Sequence, residues 1–380
     1  MKRGSATGLT GALLASSLVL AGCAGQPVAV PGDRMVNLGF EDVVNSEPGY
    51  LGKLSERLDS VSATAVSISV GRTDWTAFPW PGHAGSESSE VSQSGRDFVA
   101  ESITALETAN DGSKRDVVLT IDALLGRALK DDPAIAGRSV DGTASDSFAS
   151  VNSLRHGEAG TRLASLAAAV AMKYTPTAVN ITELMFDDFT FGRDDLEDFK
   201  ATTGSTDWPR NGDGSIDASD PRINTWRSEA MGDIVRKVSA AVEPHGVKVE
   251  MDVRSPRDSP SGDRADSGHD YDLLLTEADR LHVWEYVGLN SERSPKTREL
   301  AESMNRRAGS RMSLSVGLWS NEGRISARVF GTALREAALG GATSVSVTPA
   351  SLMEDQHWEE LRKAWTREVR AVEPIPRGVR

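Results

Sequence analysis

Short hydrophobic runs alternate with amphipathic segments along most of the chain. The runs are rich in Val, Ile and Leu, and most are apolar at both odd and even positions. Strands that are covered on both faces, as in parallel sheets, give this pattern. The eight candidate strands are residues 35–40, 65–70, 116–121, 178–186, 247–253, 281–286, 312–318 and 344–348.

Apolar residues recur at helical spacing between these runs. The pattern predicts helices near residues 50–58, 96–109, 158–172, 223–242, 295–307, 324–339 and 354–369, with a weaker one near 273–278. Eight strands that alternate with helices predict an α/β protein with a single (β/α)8 TIM barrel. A doubly wound open sheet is the alternative fold.

The loops are unequal in length on the two sides of the predicted barrel. Links from helix to strand are short, whereas residues 71–94, 122–157, 187–222 and 254–270 form long links from strand to helix. All strand-to-helix loops of such a barrel gather at its C-terminal face, where function resides. We therefore expect the functional site at that face.

Acidic residues stand where several strands end. Asp187 and Asp188 close the fourth run, Glu285 lies near the end of the sixth, and Glu322 follows the seventh. Glycoside hydrolysis uses one carboxyl as acid and a second as nucleophile or base, while hard cations also take carboxylate ligands. The pattern predicts Asp187 or Asp188 as nucleophile or base and Glu285 as proton donor, with Glu322 as the rival second carboxylate.

Tryptophans concentrate in the same loops and strand ends, and their flat faces suit the C–H faces of sugar rings. The predicted substrate-binding residues are Asp74, Trp75, Trp80, Asp122, Asp252, Trp284 and Trp319. The alternative is that the tryptophans pack loops onto the barrel and that the aspartate pair forms a turn or a helix cap.

Composition and motifs exclude several classes of binding partner. The chain has 380 residues and a formal net charge of −13, which argues against nucleic acid because phosphate binding needs a basic patch. The sequence contains no Gly-x-Ser-x-Gly elbow, phosphate loop or dinucleotide fingerprint, and its histidines show no metal-ligand spacing. A carbohydrate substrate remains the partner that the aromatic residues favour.

The N-terminus predicts export and anchoring. Lys2 and Arg3 precede an apolar stretch at residues 9–21 that is too short to span a bilayer. The tetrapeptide Leu-Ala-Gly-Cys that ends at Cys23, the single cysteine, resembles the lipobox of bacterial lipoproteins. We expect a signal peptide at 1–22, lipidation of Cys23 and an extracytoplasmic protein on the cell membrane. A plain signal peptide with an incidental cysteine is the alternative.

The remaining boundaries follow from composition. Residues 23–33 are rich in small residues, Gly and Pro, and predict a tether. The barrel domain is expected at 34–372, with a tail at 373–380.

The fourth strand carries a family resemblance. The segment "LMFDDFTF", followed by "INTWRSEAMGDIVRKVSAAVEPHGVKVEMDV", resembles a glycosyl-hydrolase-like barrel family with a Phe-Asp-Asp-Tyr-type signature. The motif "FDDFTFGRDDLEDF" is also similar to the His-Asp-Asp segment in the hydrolase domain of exopolysaccharide-processing lipoproteins that act on poly-β-1,6-N-acetylglucosamine. Phe186 stands where those enzymes have His, and no deacetylase domain is present. The resemblance covers about 176–254 and implies a glycan-active (β/α)8 barrel with Asp187 and Asp188 at its cleft.

A second resemblance lies in the loop after the fourth strand. "NGDGSIDASD" is similar to the calcium loop of dockerins and EF-hands, although Pro209 stands at the first loop position. The resemblance implies a structural Ca²⁺. The alternative is a polar turn. No cofactor is expected to be required for the chemistry. The implied ligands are Asn211, Asp213, Asp217 and Asp220.

Three functions remain open from the sequence. The first is a glycoside hydrolase-like envelope lipoprotein that acts on a poly- or oligosaccharide by a two-carboxylate mechanism. The second is a non-catalytic glycan-binding lipoprotein on the same barrel, since a fold does not fix a function. The third is an envelope scaffold without a glycan role.

Overall fold

The computed structural model describes residues 30–83, 85–186, 188–290 and 296–366, with the backbone of Pro27–Val28 and Val369–Arg370. Eight parallel strands form its centre, and β1 pairs with both β2 and β8, which closes the sheet into a barrel. The strands are β1 (Asp33–Leu38), β2 (Ala65–Arg72), β3 (Asp116–Asp122), β4 (Ala178–Thr182), β5 (Lys248–Arg254), β6 (Arg280–Glu285), β7 (Met312–Gly317) and β8 (Ser344–Thr348).

One main helix follows each strand and packs outside the barrel. The helices are α1 (Tyr50–Ser60), α2 (Phe98–Leu106), α3 (Glu158–Tyr174), α4 (Pro221–Val242), α5 (Tyr271–Glu277), α6 (Thr297–Ala308), α7 (Ala327–Leu339) and α8 (Asp355–Thr366). This architecture confirms the predicted (β/α)8 barrel. It excludes the open sheet, because an open sheet leaves two edge strands.

Apolar side chains fill the space between strands and helices. Val36, Ile68, Val253 and Val283 are fully buried there. Burial of each such side chain stabilises the fold by about 1.5–3 kcal/mol. The helix-facing side of every strand therefore holds the main core.

The lumen of the barrel is polar above its floor. At the floor, Met35, Ala65, Val118 and Ala178 form a small apolar cluster. Above it, the inward positions are polar on every strand: Asn37, Ser67, Thr120, Asn180, Asp252, His282, Ser315 and Ser346. Branched apolar side chains dominate this space in an ordinary TIM barrel. The hydrophobic pattern did not anticipate a polar lumen.

Helix α4 shows how the sequence sets an element next to the mouth of the barrel. Asp220 is its N-cap, with a carboxylate that accepts a hydrogen bond from the backbone N–H of Arg222, and Pro221 occupies the first helical position. Its 22 residues carry one apolar face, which includes Trp226 and Met231, onto the barrel. The long loop before this helix is thereby fixed at its end.

The loops at the carboxyl ends of the strands contain additional short helices and hairpins. They contain the helices Ser89–Ser94, Ala128–Asp131, Val151–Arg155 and Arg193–Thr203, and the hairpins Ala136–Arg138 with Ala144–Ala149 and Trp319–Ser320 with Gly323–Arg324. The predicted concentration of long loops at one face is therefore present.

The two ends of the described chain meet in a short antiparallel pair between Pro27–Val28 and Val369–Arg370. The predicted signal peptide at 1–22, the lipidation site Cys23 and the tail at 373–380 lie outside the described residues. Pro27–Val28 falls within the segment expected to be a tether, and Val369–Arg370 falls at the end of the expected barrel domain. No helix in the described ranges is long and apolar enough to cross a membrane.

Candidate functional site

Glu183 lies at the mouth of the barrel, the open end of the lumen at the carboxyl ends of the strands. It directly follows β4, and its backbone φ of 57° lies in the left-handed region that residues other than glycine seldom adopt. Burial raises the pKa of its carboxyl to about 7, with further repulsion from Asp122 and Asp252, while Arg254 and Arg72 oppose the shift. Glu183 is therefore a carboxylic acid that holds its proton near neutral pH.

Asp122 lies beside it at the end of β3. Its Oδ2 atom is 2.8 Å from Nε of Arg72, which is its register partner on β2, and its Oδ1 atom accepts a hydrogen bond from the backbone N–H of Leu124. Burial raises the pKa of Asp122, although Arg72 opposes that shift. This predicted substrate-binding residue does face the mouth.

Asp252 is the deepest carboxylate of the group. It stands opposite His282 in the strand register and accepts a hydrogen bond of 3.2 Å from Nδ2 of Asn180. Burial raises its pKa, and His282 opposes the shift. The residue keeps partial solvent exposure despite its depth, so the lumen above it is open to water-sized groups. Asp252 was predicted to bind substrate, and the structure places it with Glu183.

A buried hydrogen bond lies beneath this carboxylate. His282 Nε2 is 2.8 Å from Oε2 of Glu250, and both side chains are buried inside the barrel. Hydrogen bonding to His282 and the charges of His282 and Arg280 lower the pKa of Glu250 despite its burial. The polar lumen thus continues beneath the mouth as a set of hydrogen-bonded polar groups.

Aromatic rings form a wall on the β6 and β7 side of the mouth. Trp284 stacks on Tyr286 with 5.4 Å between ring centroids, and Tyr286 contacts Trp319 at 5.1 Å. Gly317 makes room for this wall, because a Cβ at that position would overlap the ring of Tyr286. Such flat, partly apolar surfaces suit the C–H faces of sugars. We call Trp284, Tyr286 and Trp319 the aromatic wall.

Trp75 belongs to a separate aromatic pair. Its ring stacks on Phe40 at 3.9 Å, and both residues are half-buried. Phe40 follows β1 and Trp75 lies in the loop after β2, so the pair sits at neighbouring strand ends. It offers a second flat surface at the carboxyl face of the barrel.

Two predicted substrate-binding residues have structural contacts instead. Asp74 is buried, and its Oδ2 atom accepts hydrogen bonds of 2.8 Å from the backbone N–H groups of Arg127 and Ala128. Trp80 is 3% exposed and stacks on His83 with 3.7 Å between ring centroids. These contacts pack the β2 and β3 loops, as the alternative interpretation of the tryptophans expects.

Neither glutamate predicted as the second catalytic carboxyl joins the lumen. Successive side chains of a strand point to opposite faces, so β6 turns Trp284 inward and Glu285 towards the helices. Glu285 is 2% exposed and accepts a hydrogen bond of 2.7 Å from Oγ1 of Thr297 on α6. Glu322 is exposed at the turn of the Trp319–Arg324 hairpin. These orientations do not support the acid role predicted for Glu285.

The aspartate pair is only partly described. Asp187 lies outside the described residues. Asp188 is exposed and lines a cavity of about 600 Å³ beside the mouth, together with Phe191, Asn224 and Arg257. The loops after β3, β4 and β5 all contribute to this cavity.

The predicted calcium loop forms a chain of polar turns. Asp213 accepts hydrogen bonds from the backbone and hydroxyl of Ser215, and Asp217 does the same for Ser219. Asn211 and Asp220 likewise bond within the loop and at the start of α4. Across the described ranges, no three His, Cys, Asp or Glu side chains converge as metal ligands. The loop side chains bond to one another, and calcium binding stays a prediction.

Comparison with solved structures finds the same fold in glycoside hydrolases. The glycoside hydrolase domain of PgaB (BpsB) from Bordetella bronchiseptica has a TM-score of 0.63 and 14% identity, covering 88% of this chain and 99% of that one. The catalytic domain of β-amylase from Paenibacillus polymyxa has a TM-score of 0.62 and 11% identity, covering 90% and 100%. No protein-family model and no curated protein matches the chain.

A third similar structure is the β-galactosidase from the psychrophilic Marinomonas ef1. Its TM-score is 0.62 and its identity 11%, covering 88% of this chain and 59% of the larger enzyme. The resemblance to glycoside hydrolase barrels is therefore confirmed at the level of the fold. At such low sequence identities the shared fold does not assign roles to individual residues. The residues at the mouth are therefore the basis for any proposed chemistry.

Proposed function

We propose that the protein is a glycoside hydrolase that cleaves O-glycosidic bonds in a polysaccharide or oligosaccharide of the cell envelope or its surroundings. One arrangement carries the proposal: Glu183, Asp122 and Asp252 face the same mouth, and burial together with the two aspartates raises the pKa of Glu183 to about 7. A proton donor and a second carboxylate are the minimum equipment for glycoside hydrolysis.

Glu183 is the proposed proton donor to the leaving oxygen. Asp252 is the second carboxylate that the described geometry favours, because it faces the lumen, is partly accessible and interacts electrostatically with Glu183. Asp187 and Asp188 remain proposed partners on the strength of the family resemblance. Asp122 is a weaker candidate, since its charge is engaged by Arg72.

The aromatic wall is the proposed sugar platform. Its rings bring flat apolar surface to the side of the mouth formed by β6 and β7. Carboxylates across the lumen supply acceptors for sugar hydroxyls. A platform on one side with acids on the other orients a ring relative to the proton donor.

Export and lipid anchoring at Cys23 belong to the same proposal and are supported by the N-terminal sequence alone. Radiolabelled palmitate should enter the protein in cells and should not enter a Cys23→Ala variant. An unlabelled wild-type protein would leave a plain signal peptide as the explanation.

Release of reducing ends from a panel of bacterial exopolysaccharides and plant α- and β-glucans tests the hydrolase. The purified wild type is compared with Glu183→Gln, Asp252→Asn, Asp187→Asn and Asp188→Asn. Activity that depends on Glu183 and on one aspartate supports the proposal and names the second carboxylate. Binding of a glycan without turnover, unchanged in all four variants, would favour the non-catalytic glycan-binding protein.

A further inference from the structure

The chain segment that leaves β4 is held by the segment that precedes α5. The carbonyl oxygen of Leu184 is 2.8 Å from Nε2 of His269, and the backbone N–H of Phe186 donates to the carbonyl of Ser267 at 2.9 Å. His269 and Ser267 are both 0% exposed. The peptide units after Glu183 are thus fixed on an element that belongs to a different strand-to-helix loop.

The contacts of His269 determine its tautomer. The backbone N–H of Arg254 points at Nδ1 of His269 at 3.1 Å. A backbone N–H can only donate, so Nδ1 must accept and carries no proton. The Leu184 carbonyl can only accept, so Nε2 must carry the proton. The ring is therefore neutral, and a second proton would face the Arg254 N–H.

This one ring joins the two strand ends that carry the proposed catalytic carboxyls. Arg254 ends β5 two residues after Asp252, and Leu184 follows Glu183 at the end of β4. Glu183 leaves its strand with φ of 57°, a conformation that costs about 1–3 kcal/mol and persists only where its surroundings hold it. The hydrogen bond to Leu184 lies immediately after that strained residue.

The backbone of His269 is itself anchored. Its N–H donates to the carbonyl of Arg264, and the N–H of Arg264 donates back to the carbonyl of His269. Nε of Arg264 is in turn 2.8 Å from Oδ1 of Asp266. The imidazole therefore projects from a small closed turn rather than from a free loop end.

We propose that His269 is a positioning residue that, as a neutral imidazole with its proton on Nε2, fixes Glu183 relative to Asp252. Its effect on catalysis rests on the proposed function, whereas its effect on the backbone after β4 does not. The ring does not touch the scissile bond; it acts by holding the strand ends on both sides of the mouth.

The first test is the tautomer. The chain has six histidines, so ¹⁵N-histidine labelling of the full chain gives few signals, and His269→Gln assigns the relevant one. We expect long-range ¹H–¹⁵N correlations to show a protonated Nε2 and an unprotonated Nδ1 at pH 7.5. A proton on Nδ1, or a doubly protonated ring, would overturn the proposal.

The second test compares three substitutions by hydrogen exchange and by kinetics. His269→Phe removes both contacts, His269→Asn keeps an acceptor near Nδ1, and His269→Gln keeps a donor near Nε2. In His269→Phe we expect faster amide exchange at Phe186 and a fall in kcat of at least about tenfold. KM should change by less than about twofold, because substrate contacts are kept. His269→Gln should recover part of both losses.

His245→Gln is the matched control, because His245 lies before β5 at the opposite end of the barrel. It should leave exchange and kcat unchanged. Unchanged exchange and kcat in His269→Phe would overturn the proposal, and if that variant does not fold, His269→Asn and His269→Gln decide it by the same measurements. A wild type without glycosidase activity would refute the proposed function, while the tautomer and the exchange rates would still decide the role of His269.

Discussion

Asp122 and Arg72 form an ion pair of 2.8 Å across the carboxyl ends of neighbouring strands, at the rim of the lumen that holds Glu183. The pair places a negative and a positive charge at a fixed distance from one acid. Asp122 raises the pKa of Glu183 and Arg72 lowers it. The protonation of the proposed catalytic acid is therefore adjustable through a residue that need not touch the substrate.

Replacement of Asp122 should move the pH dependence of activity. A proton donor is active only while protonated, so the wild-type rate should fall as pH rises through about 7, the pKa of Glu183. Asp122→Asn removes a repulsive charge and frees Arg72, and both changes lower the pKa of Glu183. The descending limb of kcat/KM against pH should shift to lower pH. If the descending limb does not shift, it does not report the ionisation of Glu183.

Removal of the acid itself should be severe and dependent on the leaving group. Glu183→Gln should lower kcat/KM on natural glycans by roughly 10²–10⁴-fold, the usual worth of a general acid. Aryl glycosides with good leaving groups need less protonation and should lose less. Initial rates on both substrate types measure the difference. Glu322→Gln is the control, because that side chain is exposed on its hairpin and should leave both rates unchanged.

The same carboxyl should make folding stability depend on pH. Its folded pKa of about 7 lies above the ordinary glutamate value of 4.5, so its contribution to stability is complete below pH 4.5 and is lost as pH rises through 7. Glu183→Gln removes this loss, which amounts to at most roughly 3–4 kcal/mol at 1.4 kcal/mol per pKa unit.

Urea unfolding of wild type and Glu183→Gln at pH 4.5 and pH 8 measures that difference. The variant should gain stability relative to wild type at the higher pH. The contributions of the other buried carboxyls to the pH dependence cancel in this comparison, since both proteins contain them. Equal differences at the two pH values would show that Glu183 titrates normally.

Gly317 should be needed for the aromatic wall. A methyl group at 317 would overlap Tyr286, so Gly317→Ala must displace that ring or strain β7, at a cost of about 1–3 kcal/mol. We expect weaker glycan binding and altered tryptophan fluorescence. Gly212→Ala is the matched control, because a Cβ there meets no atom within 4 Å. Unchanged binding in Gly317→Ala would exclude the wall from the sugar site.

Glu285 should matter for stability rather than for catalysis. It faces α6, where Thr297 donates to it, and burial raises its pKa. Glu285→Gln should keep kcat within about twofold of wild type, because no contact at the mouth is lost. Glu285→Ala should lower the melting temperature, since it leaves the Thr297 hydroxyl without its buried partner. A large loss of kcat in Glu285→Gln would restore it as the acid.

The fold was predictable because burial leaves a clear pattern in the sequence. Most helix-facing residues of the strands, such as Val253 and Val283, are apolar, and α4 carries its own N-cap and proline signals. The residue at which each strand ends was harder to predict from the sequence. The sequence predicts a strand over 178–186, yet β4 ends at Thr182, where Glu183 adopts a left-handed conformation that hydrophobicity does not encode.

The sequence placed several, but not all, of the residues that the structure brings to the mouth. Asp122, Asp252, Trp284 and Trp319 do come to the mouth, while Glu183 was overlooked because it lay inside the presumed strand. Trp284 and Glu285 could not both face the lumen, since neighbouring residues of a strand point to opposite sides. Asp74 differs again: its partners, the N–H groups of Arg127 and Ala128, lie more than fifty residues away and emerge only from the folded loops.

The parallel arrangement of the barrel would also orient the molecule if Cys23 is lipidated as proposed. All eight strands start at the end of the barrel where β1 to β4 form the apolar floor, and the chain reaches β1 at Asp33 from that side. A lipid attached at Cys23 would hold the barrel by its base, with the mouth turned outward from the bilayer. The polymers within reach would then be those beyond the membrane surface, such as wall or capsule chains, rather than the head groups of the lipids beneath it.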